Sequence, residues 1–437
     1  MAVIGDNIAG EPSQGEPREG VSVSVGGRSS NHDDMPPEEI LARLRRAAAR
    51  GSPAWLWPDI SVERRRLATG KLADALRQMM NAETATLDGD ARAIGLAAYV
   101  SGTGPMLGWG LENGQVVASR DVAAVLREHW RHNRDRAGRL RRACTAIVGA
   151  LTSARIKAVV LKGLHTESDY FPALGVRPAS DIDLLVDHDD RAAAERILWS
   201  RGLIPASRGQ FESSWREANA PGQPASLYLV HRNDPWSIDL HHSLDIEPAP
   251  GAPVARLDIG QPMQTERRWA DRPAGYALDQ PLLALHLAVH AGHGLHNLTL
   301  LRLVELILVI RRDTESGRLS WLDFAALAAA ADAFGYAYPA LAFAEQLAPG
   351  TIPPEILAGS ARMAPRRAVE VVRRLTPATA QRIGRLSFAE HFMWTTGPRG
   401  WARQLSADLV PGTSLKRGLQ IYGARGWQLL GGGLRLG

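Results

Sequence analysis

Two aspartates one residue apart, Asp181 and Asp183, close the stretch AVVLKGLHTESDYFPALGVRPASDIDLLV that runs from Ala158 to Val186. They stand in an apolar run, where each carboxylate must lose water, so a compensating charge is required. A divalent metal ion is the natural candidate. Alternate side chains on a strand share a face, so the two carboxylates point the same way, about 7 Å apart along the backbone. Ile182, Leu184 and Val186 then pack behind them. A third acid, Asp239 in WSIDLH, lies on another expected strand and reaches the same face if the two strands pair. Three carboxylates from adjacent strands can hold two magnesium ions about 3.5 to 4 Å apart, which steadies the attacking and leaving oxygens in phosphoryl transfer. Magnesium prefers such hard oxygen ligands, with manganese the second candidate.

Lys162-Gly163 falls where a strand turns into a helix. A glycine there lets backbone and helix N-terminal amides approach a phosphate closely, and Lys162 adds a point charge. Arg177, four residues before Asp181, has two open roles. It can contact a triphosphate, or anchor the acids by a salt bridge. His286, His290 and His293 follow helical spacing, with Glu305 roughly three turns further along if the helix continues. Three readings stay open for that cluster: a transition-metal site, which Gly292 and Gly294 weaken, a lining of the active site, and plain packing.

The elements that must position these residues follow from periodicity. Residues 1–35 are rich in Gly, Ser and Pro and poor in large apolar side chains, and a disordered tail is expected there. Residues 36–150 read as a helical region, with helices over PPEEILARLRRAAAR, around 62–81 and around 122–151. The glycine-rich SGTGPMLGWGLENG, from Ser101 to Gly114, lacks the strand and Lys-Ser/Thr context of a phosphate loop and is expected to be a plain loop. Residues 151–260 change period: IKAVVL, DIDLLV, SLYLVH and WSIDLH are the expected strands, with a helix over RAAAERILWSRGL. Asp187, Asp189 and Asp190 precede that helix and are expected to cap it rather than to bind calcium. Residues 261–437 turn helical again and end in a basic, aromatic tail from Trp394. Its aromatics are expected to dock on the protein's own core rather than to bind nucleic acid or a membrane surface.

Composition sets limits on this scheme. With 437 residues and 45% hydrophobic content, the chain can bury a substantial core over two or three domains. Cys144 is the single cysteine, which excludes an intramolecular disulfide and a multi-thiolate metal site and fits a reducing compartment. The start MAVIGDNIAGEPSQGEPREG has no basic stretch followed by an apolar core, so a cytoplasmic location is expected. The longest apolar zone, from Pro281 to Ile310, is interrupted by four histidines, Arg302 and Glu305, and reads as core helix rather than a membrane span. A net charge of +5 and a pI near 9.6 suit phosphate-bearing ligands, although most of the arginines fall on solvated helix faces.

The run LKGLHTESDYFPALGVRPASDIDLLV, followed by a helix and then IDLHHSL, closely resembles the bacterial uncharacterised nucleotidyltransferase family of the DNA polymerase β-like superfamily. The resemblance is strongest over 158–203 and 236–244. It implies an α+β fold: a small mixed β-sheet nucleotidyltransferase core flanked by N-terminal and C-terminal helical regions. It further implies magnesium-assisted transfer of a nucleoside monophosphate from an NTP, with ATP the first nucleotide expected. Matched residue by residue, Lys162 and Gly163 stand at the phosphate-binding turn, Asp181 and Asp183 at the metal-binding pair, and Asp239 at the third carboxylate. The turn reads Lys-Gly-Leu where the wider superfamily has Gly-Ser or Gly-Gly. Nothing in the helical flanks selects the acceptor among a protein, a peptide, an RNA end or a small molecule.

Two other classes share part of the pattern. Glycosyltransferases use Asp-x-Asp to bind manganese and a sugar nucleotide, but the Lys-Gly turn and Asp239 favour nucleotidyl transfer. A non-catalytic nucleotide sensor or an antitoxin-like interaction protein is the other class, and retention of all three acids argues against it.

Overall fold

A computed structural model describes residues 35–50, 53–249, 251–269, 275–295, 298–378 and 392–409. The tail expected over 1–35 lies outside them but for its last residue, as do His296 and the end of the basic, aromatic tail. The described residues form an α+β fold in which helices flank a small mixed sheet on both sides of the sequence.

The chain opens with α1 (Pro37–Arg50) and α2 (Val62–Met80), the latter capped by the Ser61 side chain, which accepts from the Arg64 amide. Next come β1 (Ala85–Leu87), α3 (Ala91–Ser101), α4 (Gly104–Glu112) and β2 (Val116–Ala118), and β1 and β2 pair in parallel. The 34-residue α5 (Arg120–Ser153) then leads into the sheet region. The glycine-rich stretch expected to be a plain loop is thus largely helix α4. Its glycines serve close packing: a Cβ on Gly108 would stand 2.2 Å from the Leu126 carbonyl oxygen of α5, and one on Gly104 2.5 Å from the His129 ring.

The sheet region holds β3 (Val159–Val160), α6 (Leu164–Tyr170), β4 (Asp181–Leu185), α7 (Arg191–Ser200), β5 (Leu203–Arg208), β6 (Glu212–Glu217), β7 (Ser237–His241) and β8 (Tyr276–Ala277). Their spatial order is β5-β6-β7-β4-β3-β8, with β4 parallel to β7 and antiparallel to β3. The sheet is mixed, and β5 and β6 form an antiparallel hairpin on its edge. SLYLVH, expected as a strand, is not one. Side chains bind that segment's backbone instead of a neighbouring strand: Trp57 donates to the Leu227 carbonyl, and the Asp234 carboxylate accepts from the Ala225 and His231 amides.

Beyond the sheet run α8 (Leu282–His293), α9 (Leu300–Glu315), α10 (Trp321–Ala330), α11 (Phe334–Leu347), α12 (Pro354–Met363), α13 (Arg366–Arg374) and α14 (Gly397–Leu409). Among the described residues no helix is long and apolar enough to cross a membrane. One face of the sheet, with Ile182 and Leu184 of β4 and Ile238 and Leu240 of β7, packs on Leu140, Cys144 and Ile147 of α5 and on Leu198 of α7. That apolar backing leaves the opposite face of β4 and β7 to the acids. A second, larger core joins α2, α3 and the start of α5 to α8 through α13. From the tail, Trp394 is buried in it and donates to the His293 carbonyl at 3.0 Å, while Trp401 lies half-exposed on Phe392.

At the start of α7, Asp190 occupies the capping position, but its side chain makes no capping hydrogen bond. Asp187 instead accepts from the Asp189 amide at 3.0 Å, closing a local turn. The expected side-chain cap is therefore replaced by a turn ahead of the helix.

Candidate active site

The parallel register of β4 and β7 sets Asp183 directly beside Asp239, and the two-residue period puts Asp181 on the same face. One ligand oxygen from each of the three carboxylates lies within 4.8 Å of the other two. Three anions this close, short of water, repel one another. Burial, reinforced by Asp183 and Asp239, pushes the Asp181 carboxyl up to about 6, and burial also raises Asp239, against a hydrogen bond from Ser214. Burial works in the same direction on Asp183, but the Lys162 ammonium and His241 outweigh it and hold that carboxyl well below the usual range. Among the described residues these aspartates are the group of acidic, histidine or cysteine side chains placed to hold a metal ion. A hard divalent cation fits this donor set: three converging carboxylates that share a single lysine ammonium.

Lys162 stands one residue past Leu161, whose amide donates to the Asp183 carbonyl oxygen at 3.0 Å, so the end of β3 delivers the lysine to the acids. Its ammonium donates to Asp183 Oδ1. Gly163 follows in the left-handed region at φ +77°, a conformation that favours glycine, and starts α6.

Arg177 does form a salt bridge, but its partner is Glu305 rather than the aspartates. Its guanidinium donates to both Glu305 oxygens at 2.9 Å and to the Pro178 carbonyl at 3.2 Å. The same carboxylate accepts from Thr166 Oγ1 and faces the Gly163 amide at 3.5 Å. One acid of α9 thus ties Arg177 to the Lys162-Gly163 turn. Glu305 is not on the helix of the histidines, as the spacing had implied: α8 ends at His293, where Gly292 and Gly294 weaken it, and α9 starts afresh at Leu300.

His286, His290 and His293 lie on α8 and line the cavity that holds the aspartates, which measures about 880 Å³. They do not form a metal-binding group with the acids of the described residues. His286 is 3% exposed and neither of its ring nitrogens has a hydrogen-bond partner. Burial, with Lys162 and His241 nearby, pushes its imidazole down to about 3, so it stays neutral at physiological pH.

Three contributors escaped sequence reasoning. His241, two residues after Asp239 and so on the same face of β7, stands 3.4 Å from Asp183 Oδ1 through Nε2 and 3.2 Å from Glu212 Oε2 through Nδ1. The alternation that found Asp239 also marks His241. Glu212 lies opposite His241 on β6, a strand that the sequence did not reveal. Arg136 of α5 is 2% exposed and spends its guanidinium on carbonyl oxygens just ahead of β4 and β7. It reaches Ala179 at 3.1 Å, Ser180 at 3.4 Å and Pro235 at 2.8 Å, and also Asp234. One cation therefore pins the starts of both strands that carry the acids. These contacts span 43 to 99 positions, and no local pattern signals them.

A family model described as uncharacterised nucleotidyltransferase matches residues 92–349, a span that contains the aspartates, the Lys162-Gly163 turn, Arg177 and Glu305. No curated protein and no solved structure matches the chain.

Proposed function

The chain belongs to the uncharacterised nucleotidyltransferase family, and we propose that it moves a nucleoside monophosphate from an NTP, ATP first, to an acceptor hydroxyl or amine in the cytoplasm. The observation that carries this reading is the convergence of Asp181, Asp183 and Asp239 on adjacent parallel strands. These carboxylates would hold a divalent cation, magnesium first and manganese second, which would supply positive charge to the phosphoryl oxygens.

The chain's own residues do the rest. Lys162 carries a charge that a triphosphate can use, and Gly163 keeps the floor of the turn free of a side chain. Arg177, fixed by Glu305, holds positive charge beside that turn. An acceptor lone pair attacks the α-phosphorus. The bond from that phosphorus to the bridging oxygen breaks with its electron pair, and pyrophosphate leaves. The acceptor's proton passes to Asp239, the carboxylate on the strand beside the Asp181–Asp183 pair. The cavity extends from the acids to Trp57 and Tyr99, which gives the acceptor a partly apolar wall. Protein, peptide, RNA end and small molecule all remain candidates for that acceptor.

Incubation with α-labelled ATP, CTP, GTP and UTP plus cell extract tests the reading. Label is expected on one class of acceptor, with release of pyrophosphate. Asp181→Asn or Asp183→Asn should lower transfer by about three orders of magnitude, since each removes charge from the centre of the site. Near-normal transfer by either variant would place the chemistry elsewhere.

A further inference from the structure

We propose that Lys162 is the counterion of the metal-free site and exchanges Asp183 for the triphosphate when substrate binds, so that the site takes its divalent cation together with an NTP rather than alone. The inference rests on the nucleotidyltransferase reading and assigns the ligand of that site as a metal–nucleotide complex.

The geometry narrows the source of compensating charge. Arg177 is engaged on both oxygens of Glu305 and on the Pro178 carbonyl. Arg136 is engaged on four carbonyl oxygens. Among these buried cations Lys162 is the one that donates to an aspartate of the triad, and its side chain is only 14% exposed. Its charge acts on Asp181 and Asp239 as well as on Asp183.

An ammonium and a dication cannot share Asp183 Oδ1 without standing against each other at contact range. A bare cation that displaced Lys162 would leave the ammonium buried and unpaired, and that cost opposes binding. A triphosphate removes the cost, because its oxygens offer the ammonium a new partner as the cation takes the old one. The side chain is suited to the exchange: a point charge on a flexible four-carbon stem, unlike the rigid fork of an arginine.

The test titrates the full-length protein with Mn2+ alone and with Mn2+ plus α,β-methylene-ATP, reading free Mn2+ by electron paramagnetic resonance. Wild type, Lys162→Met, Lys162→Gln and Asp183→Asn are compared. Lys162→Met should bind Mn2+ alone about tenfold more tightly than wild type, and the metal–analogue complex about tenfold more weakly. Lys162→Gln should behave alike, which covers a Met variant that fails to fold. Unchanged or weaker binding of Mn2+ alone in both lysine variants overturns the proposal. So does a wild type that binds Mn2+ equally well with and without the analogue. Failure of the underlying reading has a different signature, and also overturns the exchange: Asp183→Asn binds Mn2+ like wild type, and no variant takes the analogue.

Discussion

Asp181, Asp183 and Asp239 repel one another at close range, and that repulsion has a pH signature. Burial, then Asp183 and Asp239, push the Asp181 carboxyl up to about 6. A cation must displace that proton, so Mn2+ affinity should rise about tenfold per pH unit below that value and level off above it. In the metal-free protein the folded state holds a proton that the unfolded chain releases nearer 4, so stability should fall as pH rises from about 4 to about 6. Mn2+ titration and urea denaturation across pH 4 to 8 check both signs. A flat Mn2+ profile would mean that Asp181 is not a ligand. The three acids were legible in the sequence because charge inside an apolar alternation is conspicuous. Lys162 was legible as a charge at a turn, but its contact with Asp183 was not, since that depends on how β3 pairs with β4.

Among the elements, α9 does work that its sequence conceals. Glu305 is 2% exposed and is the partner of a fully engaged arginine, a threonine and a turn amide. Glu305→Ala leaves Arg177 buried and unpaired, and should cost about 3 to 5 kcal/mol in urea denaturation. A loss below about 1 kcal/mol would show that solvent reaches Arg177 and that the clamp is slack. Helical spacing had joined Glu305 to the histidines, but the break between His293 and Leu300 reassigns it to the Lys162-Gly163 turn. The strands divide along similar lines. DIDLLV and WSIDLH were readable because they are buried central strands with apolar alternation. LIPASR and ESSWRE were not, being polar or carrying a proline, and they exist through antiparallel pairing, ESSWRE onto β7 and LIPASR onto ESSWRE, rather than through their own propensity. SLYLVH carries the opposite lesson, with strand-like residues held by side-chain bonds in an irregular segment.

Across the molecule, helices from before and after the sheet share one core, and each side supplies part of the site. From α5, Arg136 pins the starts of β4 and β7, and from α9 Glu305 fixes the turn. Such contacts depend on residues far apart in the chain, which is why composition and periodicity showed the helical flanks but not their purpose. The glycines near Gly108 illustrate this, since their spacing suits the surface of α5 rather than a loop. The scaffold gathers three carboxylates, and the proposed function has them hold a metal together with a nucleotide. Crystals grown with Mn2+ and α,β-methylene-ATP, measured for anomalous scattering at the manganese edge, address it most directly. A manganese peak is expected within about 2.4 Å of oxygens from Asp181, Asp183 and Asp239. A bound analogue with no peak at these carboxylates, or with manganese held by other residues, would contradict it.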